Sequence, residues 1–512
     1  MIAAVGGLAV GAAVQAAVMP WTTKALRLHA STSTVTAAVS TVVTNDFTIR
    51  FLTGTFPTNL ILGMTPANTN AAQYDPGDGA WRGFTSRTLA LAAASSYVSF
   101  RGAWTNSSKT YESLFSGTFN TTQYTCRTEG SFSNTPAMLD AYRDMFYRAK
   151  AIVSFTTNPI PLLTGAPGAN MFRYTFSGMT GLTNIPVGFM DTSGLTGAPA
   201  ANMLLATCED ISGVKNLPAG FMNTSGLTGE PAGSMFYYAC YGMTGLTNLP
   251  ANFMNTSGLT GAPAANMFEQ ACRNMSGVTN LPANFMNTSG LTGAPAASMF
   301  YGACRGMSGV KSLPAGFLNT SGLTGAPALS MFYLTCYDMT GVTNLPTGFL
   351  DTSGLTGAPA GSMFGSTCYG MYGVKSLPAG FLNTSGLTGA PAANMFSLAC
   401  YGMSGVTNLP TGFLNSSGLT GAPAADMFRY ACGGMANVLA GDFNISSNIT
   451  FATTNIASSM PYAFSGMTKW TGTVYWGTSR IYDAITNPAT DANVFMNSTN
   501  VPGHATMGDN WK

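Results

Sequence analysis

Apolar positions in the middle of this chain return on a long, fixed schedule, not on a helical or strand period. From Met267 they fall at Met267, Phe268, Cys272, Met275, Val278, Leu281, Phe285, Met286 and Leu291, and the set begins again at Met299. The serine of each "SGLTG" marks the register. Ser193, Ser225, Ser257, Ser289, Ser321, Ser353, Ser385 and Ser417 are spaced by 32 residues without insertion or deletion. Such self-similarity signals a repeat architecture, in which a unit cannot bury its own apolar face and its neighbours complete the core. Burying a large apolar side chain contributes about 1.5 to 3 kcal/mol, while ordering the backbone costs about 1 to 2 kcal/mol per residue. One unit alone is therefore unstable, and its length is constrained because an added residue would break register with both neighbours.

The polar and turn-forming letters divide each unit into segments. Gly258, Gly261 and Gly277 mark tight or positive-φ turns, and Pro263 and Pro282 end short extended stretches. "GVTNLP" and "GLTGAP" are then two short parallel strands per unit, with "MFEQACRNM" a helical or 3₁₀ turn between them. Asn255 and Thr256 are expected to cap a turn through local side-chain bonds. The expected fold class is a β-rich solenoid of about nine coils, advancing about 4.8 Å per coil and roughly 40 to 45 Å long. Both ends should be capped, because open strand edges invite aggregation.

The order of landmarks in "FMNTSGLTGAPAANMFEQACRNMSGVTNLPANF" resembles the bacterial surface-protein leucine-rich repeats of the BspA-like type. It is similar above all to the branch found in mycoplasma and gut bacteria, with units such as "FDTSNVTNMSGMFSGCSSLTSLDLSNF". The likeness covers about Pro161 to Met435 and rests on the joint spacing of Met-Phe, Cys and Phe. This chain departs from it in a longer unit and in Pro and Gly-Ala where the family more often carries polar residues. The resemblance implies leucine-rich-repeat-like coils in an extracellular or cell-surface bacterial protein. It also implies a non-catalytic role in adhesion to hosts or neighbouring cells.

Outside the repeats the chain changes character. Residues 1–30 hold the apolar run "MIAAVGGLAVGAAVQAAVM", read as a signal or, through residues 2–19, a membrane anchor. Residues 31–44 are Ser/Thr/Val-rich and read as a linker. Residues 45–150 carry more charge and aromatic content and are expected to form a β-rich capping domain. The solenoid would occupy 151–440, with "MFYRAKAIVSF" placing a degenerate first coil near Met145, and 441–512 would form a last coil and cap.

Composition narrows the function classes. Charged residues are 8% of the chain and the net charge is +2, with no basic cluster, so no electrostatic footprint for nucleic acid exists. The two histidines, His29 and His504, lie outside the repeats, and no Ser/His/Asp or Cys/His set assembles within them. Glu209, Asp210, Glu230, Glu269, Asp338 and Asp351 occur in single units, as surface variation does. No enzyme activity and no cofactor are expected. "YDPGDGAW" sets Asp75 and Asp78 in a Gly/Pro turn that lacks the ligand set of a calcium loop. The sequons at Asn223, Asn255, Asn287, Asn319 and Asn383 sit at a fixed corner that Asp191 and Asp351 also fill, which points to a turn role.

Eight cysteines share one slot: Cys208, Cys240, Cys272, Cys304, Cys336, Cys368, Cys400 and Cys432, with Cys126 apart. A zinc site wants close pairs, which this spacing does not supply. Cysteines one coil apart would sit farther from each other than the roughly 3.8 Å that disulfide Cβ atoms prefer. Phe176 fills the slot in the first unit, so the expected role is that of buried hydrophobes.

Other letters vary while these stay fixed. The three positions after Met-Phe and the two after Cys bring together Tyr237, Tyr238, Tyr241, Arg273, Tyr301, Arg305, Tyr333, Tyr337, Tyr369, Tyr401, Arg429 and Tyr430. Tyr and Arg combine contact area with hydrogen bonding and dominate binding hot spots. Free drift of residues outside the core is the competing explanation. The expected function is adhesion to, or binding of, a protein or glycan on a host or neighbouring cell. A structural spacer or filament subunit with the solenoid as stalk is the alternative, and oligomeric state is left open.

Overall fold

The computed structural model describes residues 47–512 except 54–57, 64–71, 94, 103–104, 107–108, 111–112, 120–125, 132–139, 161, 411, 486–487 and 489. The expected signal or anchor and the linker lie outside the described residues. Among the described residues no helix is long and apolar enough to cross a membrane. The protein is sheet-rich with little helix and no closed barrel among the described residues.

Alternating apolar residues build the first sheet. It contains β1 (Phe47–Leu52), β3 (Ala72–Asp75), β4 (Arg82–Gly83), β6 (Tyr97–Gly102), β9 (Cys126–Ser131) and β10 (Ile152–Phe155), in the order β10-β9-β1-β6-β3-β4. Two short pairs accompany it, β2 (Asn59–Ile61) with β5 (Thr88–Ala90), and β7 (Thr105–Asn106) with β8 (Lys109–Thr110). Ile49 and Phe51 of β1 and Val98 and Phe100 of β6 point inward at period two and are fully buried. Phe51 stacks on Phe119 and meets Phe100 and Phe115 edge-on.

β10 hands this sheet over to the repeats. It pairs in parallel with β9, and its Ser154 bridges in parallel to Asn184. From there the units are joined by main-chain bonds. Thr196 N–H donates to Gly165 O, Thr228 to Gly197, Thr260 to Gly229, and so on to Thr450 on Gly421. The "GLTGAP" segments thus meet as single parallel bridges, such as Gly261 with Leu291, and not as the continuous strands expected. A glycine turn on one side and a proline on the other leave one residue free to pair.

The "MFEQACRNM" segment is not helical, which corrects the expectation of a helical or 3₁₀ turn. It is a run of overlapping tight turns. Glu269, Ala271 and Arg273 N–H groups bond back three residues, to Asn266, Phe268 and Gln270. The intervening N–H groups of Asn266, Phe268, Gln270, Cys272 and Asn274 donate to the next unit, at Ala297, Met299, Tyr301, Ala303 and Arg305. A helix would turn every N–H beyond its first turn onto its own carbonyls, whereas here every second N–H along the whole run goes to the neighbour. Every fourth residue takes positive φ to keep the path turning: Asn266 at 56°, Gln270 at 51° and Asn274 at 63°.

The ladder of turns starts earlier than Met145. Ser113, Phe115 and Gly117 already donate to Arg143, Met145 and Tyr147, and the run Asp140–Arg148 donates in turn to Ala169–Ser177. Altered spacing hid these units: Phe115, Phe146 and Phe176 share one slot but are separated by 31 and 30 residues. At the other end β11 (Phe443–Ile445), β12 (Val474–Trp476) and β13 (Ser479–Arg480) form a small sheet, with the short helix α1 (Ile456–Ser459) between β11 and β12 in the chain and α2 (Ile481–Ala484) packed against β12 and β13. The C-terminal tail closes the last unit, because Asn510 O and Trp511 O accept the N–H groups of Ala492, Asn493 and Phe495. The Trp511 ring is buried and its indole N–H donates to Ile485 O at 2.9 Å.

Columns of identical side chains fill the repeat core. Phe236, Phe268, Phe300, Phe332, Phe364, Phe396 and Phe428 stack at 5.2 to 5.7 Å. A second column runs from Phe189 to Phe413 at 6.0 to 6.3 Å. Polar corners lock the units as well. Asn255 Oδ1 accepts the Ser257 N–H at 3.0 Å, and the same local bond recurs from Asp191 to Asn415. Thr256 does something different from the local cap expected of it. Its hydroxyl donates across to Asn287 O at 2.8 Å, as Thr224 does to Asn255 and Thr288 to Asn319.

Candidate binding face

The cysteine slot lies inside. All eight cysteines from Cys208 to Cys432 are free and fully buried. Phe115, Phe146 and Phe176 continue the slot at one end and Phe464 and Phe495 at the other, with ring spacings of 5.5 to 5.8 Å. Cys240, Cys272 and Cys304 contact the sulfurs of Met222, Met254 and Met286 at 3.5 to 3.8 Å. Burial pushes every one of these thiols well up from its ordinary value, so they stay protonated and unreactive in the folded state. The Cys126 side chain lies outside the described residues.

The two carboxylates of "YDPGDGAW" serve local turns. Asp75 accepts the N–H groups of Gly77 and Gly79 and the hydroxyl of Tyr97, and Asp78 pairs with Arg82 at 2.5 Å. Among the described residues no cluster of three or more His, Cys, Asp or Glu side chains could hold a metal ion.

The Tyr and Arg residues occupy the outer surface of the turn runs. Buried pairs alternate with half-buried pairs along a run such as Met235–Gly242, so the residue after Cys and the first two after Met-Phe face out, whereas the third after Met-Phe, expected to vary on the outside, is buried, as at Ala239, Ala271 and Ala303. All twelve are half-buried apart from Arg429, which is exposed. They form two columns. In the column after Cys, Tyr337 stacks on Tyr369 at 4.4 Å and Tyr369 on Tyr401 at 5.0 Å, with ring planes within 13°. Arg305 lies over Tyr337 at 4.7 Å and Arg273 over Tyr241 at 5.3 Å. In the column after Met-Phe, Tyr301 contacts Tyr333 at 5.3 Å. The columns meet where Tyr238 touches both Tyr237 and Tyr241, and again where Tyr401 meets Tyr430 edge-on at 5.7 Å.

Partial burial raises the hydroxyl pKa values of Tyr237, Tyr238, Tyr369 and Tyr430, reinforced by Glu269 at Tyr237 and by Tyr337 and Tyr401 at Tyr369. At neutral pH the face is therefore lined by neutral phenols and permanent guanidinium charges. The surface extends past the residues that the repeat pattern singles out. Tyr462 stacks on Tyr430 at 4.7 Å, and Tyr147 with Arg148 adds a further pair at the other end. Tyr462 keeps the 32-residue step from Tyr430 although the "SGLTG" landmark has ended there, whereas Tyr147 lies in a unit whose spacing departs from 32. An echo of the Met-Phe pair at Met145–Phe146 was the one signal available for Tyr147.

Neither a family model nor a curated protein matches this chain. A solved structure described as a crystal structure of a TDR receptor aligns over 64% of this chain and 60% of its own, at 10% identity and a TM-score of 0.14. The chain thus spans less than two thirds of that neighbour, and a similarity of this size carries no argument about fold or function.

Proposed function

We propose that this chain is a non-enzymatic repeat protein, a solenoid of leucine-rich-repeat-like coils, whose Tyr/Arg face binds a protein or glycan at a host or neighbouring cell surface. The observation that carries the reading is the contact of rings and guanidinium groups across successive units, in one stretch from Tyr237 to Arg273 and another from Arg305 to Tyr430. Aromatic rings and guanidinium groups from consecutive units touch one another on the outside of a scaffold held by main-chain bonds. Residues on such a scaffold are ordered before a ligand arrives, so less entropy is lost on binding. Extracellular display follows from the resemblance to BspA-like surface proteins and from the apolar N-terminal run.

The test is adhesion of cells or beads coated with the full chain, compared with a Y337A/Y369A/Y401A variant. Loss of adhesion with an unchanged melting temperature supports a binding face. Unchanged adhesion by the folded variant refutes it. The unit-to-unit bonding from Ser113 to Trp511 favours a second reading, a rigid spacer. That reading expects deletion of one 32-residue unit to shorten the molecule and leave attachment intact.

A further inference from the structure

Ring faces of the central tyrosines in the column after Cys are already covered. Tyr337 lies between Arg305 and Tyr369, Tyr369 between Tyr337 and Tyr401, and Tyr241 is flanked by Arg273 and Tyr238. Neither Tyr337 nor Tyr369 therefore has an open ring face on which a sugar could stack. What the column presents outward is a row of ring edges and hydroxyls, with two guanidinium groups in adjacent units at its centre. Neither Arg273 nor Arg305 forms an ion pair with a carboxylate among the described residues. Arg273 donates to Gln270 Oε1 and its Nε is buried without a partner. Arg305 acts on the half-buried Asp338 carboxyl through space, without pairing with it. Two guanidinium groups without an ion-pair contact, set in a row of hydrogen-bond donors, suit an oxygen-rich anion.

Spacing selects among anions. The step along the column is 4.4 to 5.0 Å between ring centres. An extended peptide advances about 3.3 Å per residue and shows one face about every 6.6 Å, so it falls out of step with the ladder. We propose that this column binds an anionic polysaccharide lying along the repeat axis. Arg273 and Arg305 take carboxylate or sulfate groups of consecutive sugars, and the tyrosine hydroxyls take neutral oxygens of the chain. The proposal rests on the reading of this face as a binding surface. The net charge of +2 over 512 residues gives no general affinity for polyanions, so binding would be local to the column.

The experiment measures binding of the full chain to dextran sulfate, alginate, uncharged dextran and poly-glutamate. The expected result is binding of the two anionic polysaccharides, weakened by salt and reduced at least tenfold in R273Q/R305Q. R273K/R305K should retain most of it. Melting curves of both variants separate a lost contact from a lost fold. Equal binding of uncharged dextran, preference for poly-glutamate, or binding of the polyanions that R273Q/R305Q leaves intact would each overturn the proposal. Dextran binding lost in Y337A/Y369A/Y401A would overturn the anionic specificity and leave the binding face standing. Failure of every probe, together with unchanged cell adhesion by both variants, would remove both.

Discussion

Replacing Gly290 by alanine separates close packing from backbone strain when it is set beside the same change three residues away. A Cβ on Gly290 would lie 2.4 Å from Leu259 O in the preceding unit, whereas ordinary contact begins near 3.4 Å. The two units must therefore shift by about 1 Å, and main chain cannot rotate away as a side chain does. Overpacking of this kind costs about 1 to 3 kcal/mol. The Thr292 N–H to Gly261 O bond alongside, at 2.8 Å, would weaken too, for about 0.5 to 1.5 kcal/mol more. The expected cost of G290A is about 2 to 4 kcal/mol. Gly293 has φ of 83° but open space around its Cβ, with Ala262 Cβ at 3.8 Å as its nearest neighbour. G293A therefore carries only the left-handed penalty of about 1 to 2 kcal/mol, part of which is recovered from the stiffer unfolded chain. Urea unfolding followed by circular dichroism should give the larger midpoint loss for G290A. Hydrogen exchange should show that loss localised to the units around Leu259 and Leu291. Equal or reversed losses would refute the close-approach argument.

The buried thiols make a pH prediction. Their folded pKa values are raised, so above about pH 8.5 the unfolded chain releases protons that the folded chain keeps, and stability falls as pH rises. Each thiol contributes about 1.4 kcal/mol per pH unit, and eight unfolding together contribute on the order of 10 kcal/mol. Urea midpoints should drop steeply between pH 8 and 10, and alkylation should require denaturant; reaction of the native thiols would refute their burial. T288V removes the hydroxyl that bonds Asn319 O across units and should cost about 1 to 3 kcal/mol by thermal melting. Truncation after Met507 removes Trp511 and the acceptors for Ala492, Asn493 and Phe495. Amide exchange in that last unit should rise while the central units stay protected; uniform protection would show that the tail is no cap.

Part of the strain in this fold is visible in the letters and part is not. The slot of Gly188, Gly220, Asn252, Asn284, Gly316 and Gly348 holds only Gly or Asn, and every member has positive φ between 62° and 84°. Residue type announced that turn. Two residues later Met222, Met254, Met286, Leu318 and Leu350 also have positive φ, between 45° and 48°, and are buried. Met and Leu look like ordinary core residues in a sequence. Here the apolar burial offsets a backbone cost of about 1 to 2 kcal/mol per residue, so nothing local marks the site. The Tyr/Arg face was legible as a set of variable positions. That ring faces of its central tyrosines are covered by one another and by a guanidinium group was not.

The sequence by itself determined the period, the inward set of Met, Phe, Cys and Leu, and the glycine and asparagine corners. These are local steric and hydrophobic properties repeated every 32 residues, and a single unit spells them out. Only the tertiary structure decided how the segments between corners bond. A backbone N–H carries no record of its partner, and in "MFEQACRNM" alternate groups are claimed by the next unit. That competition turned an expected helical turn into a ladder of tight turns, and expected strands into single bridges. It also hid the first units, where neighbours 30 and 31 residues apart align through the same bonds although the written period has already lapsed.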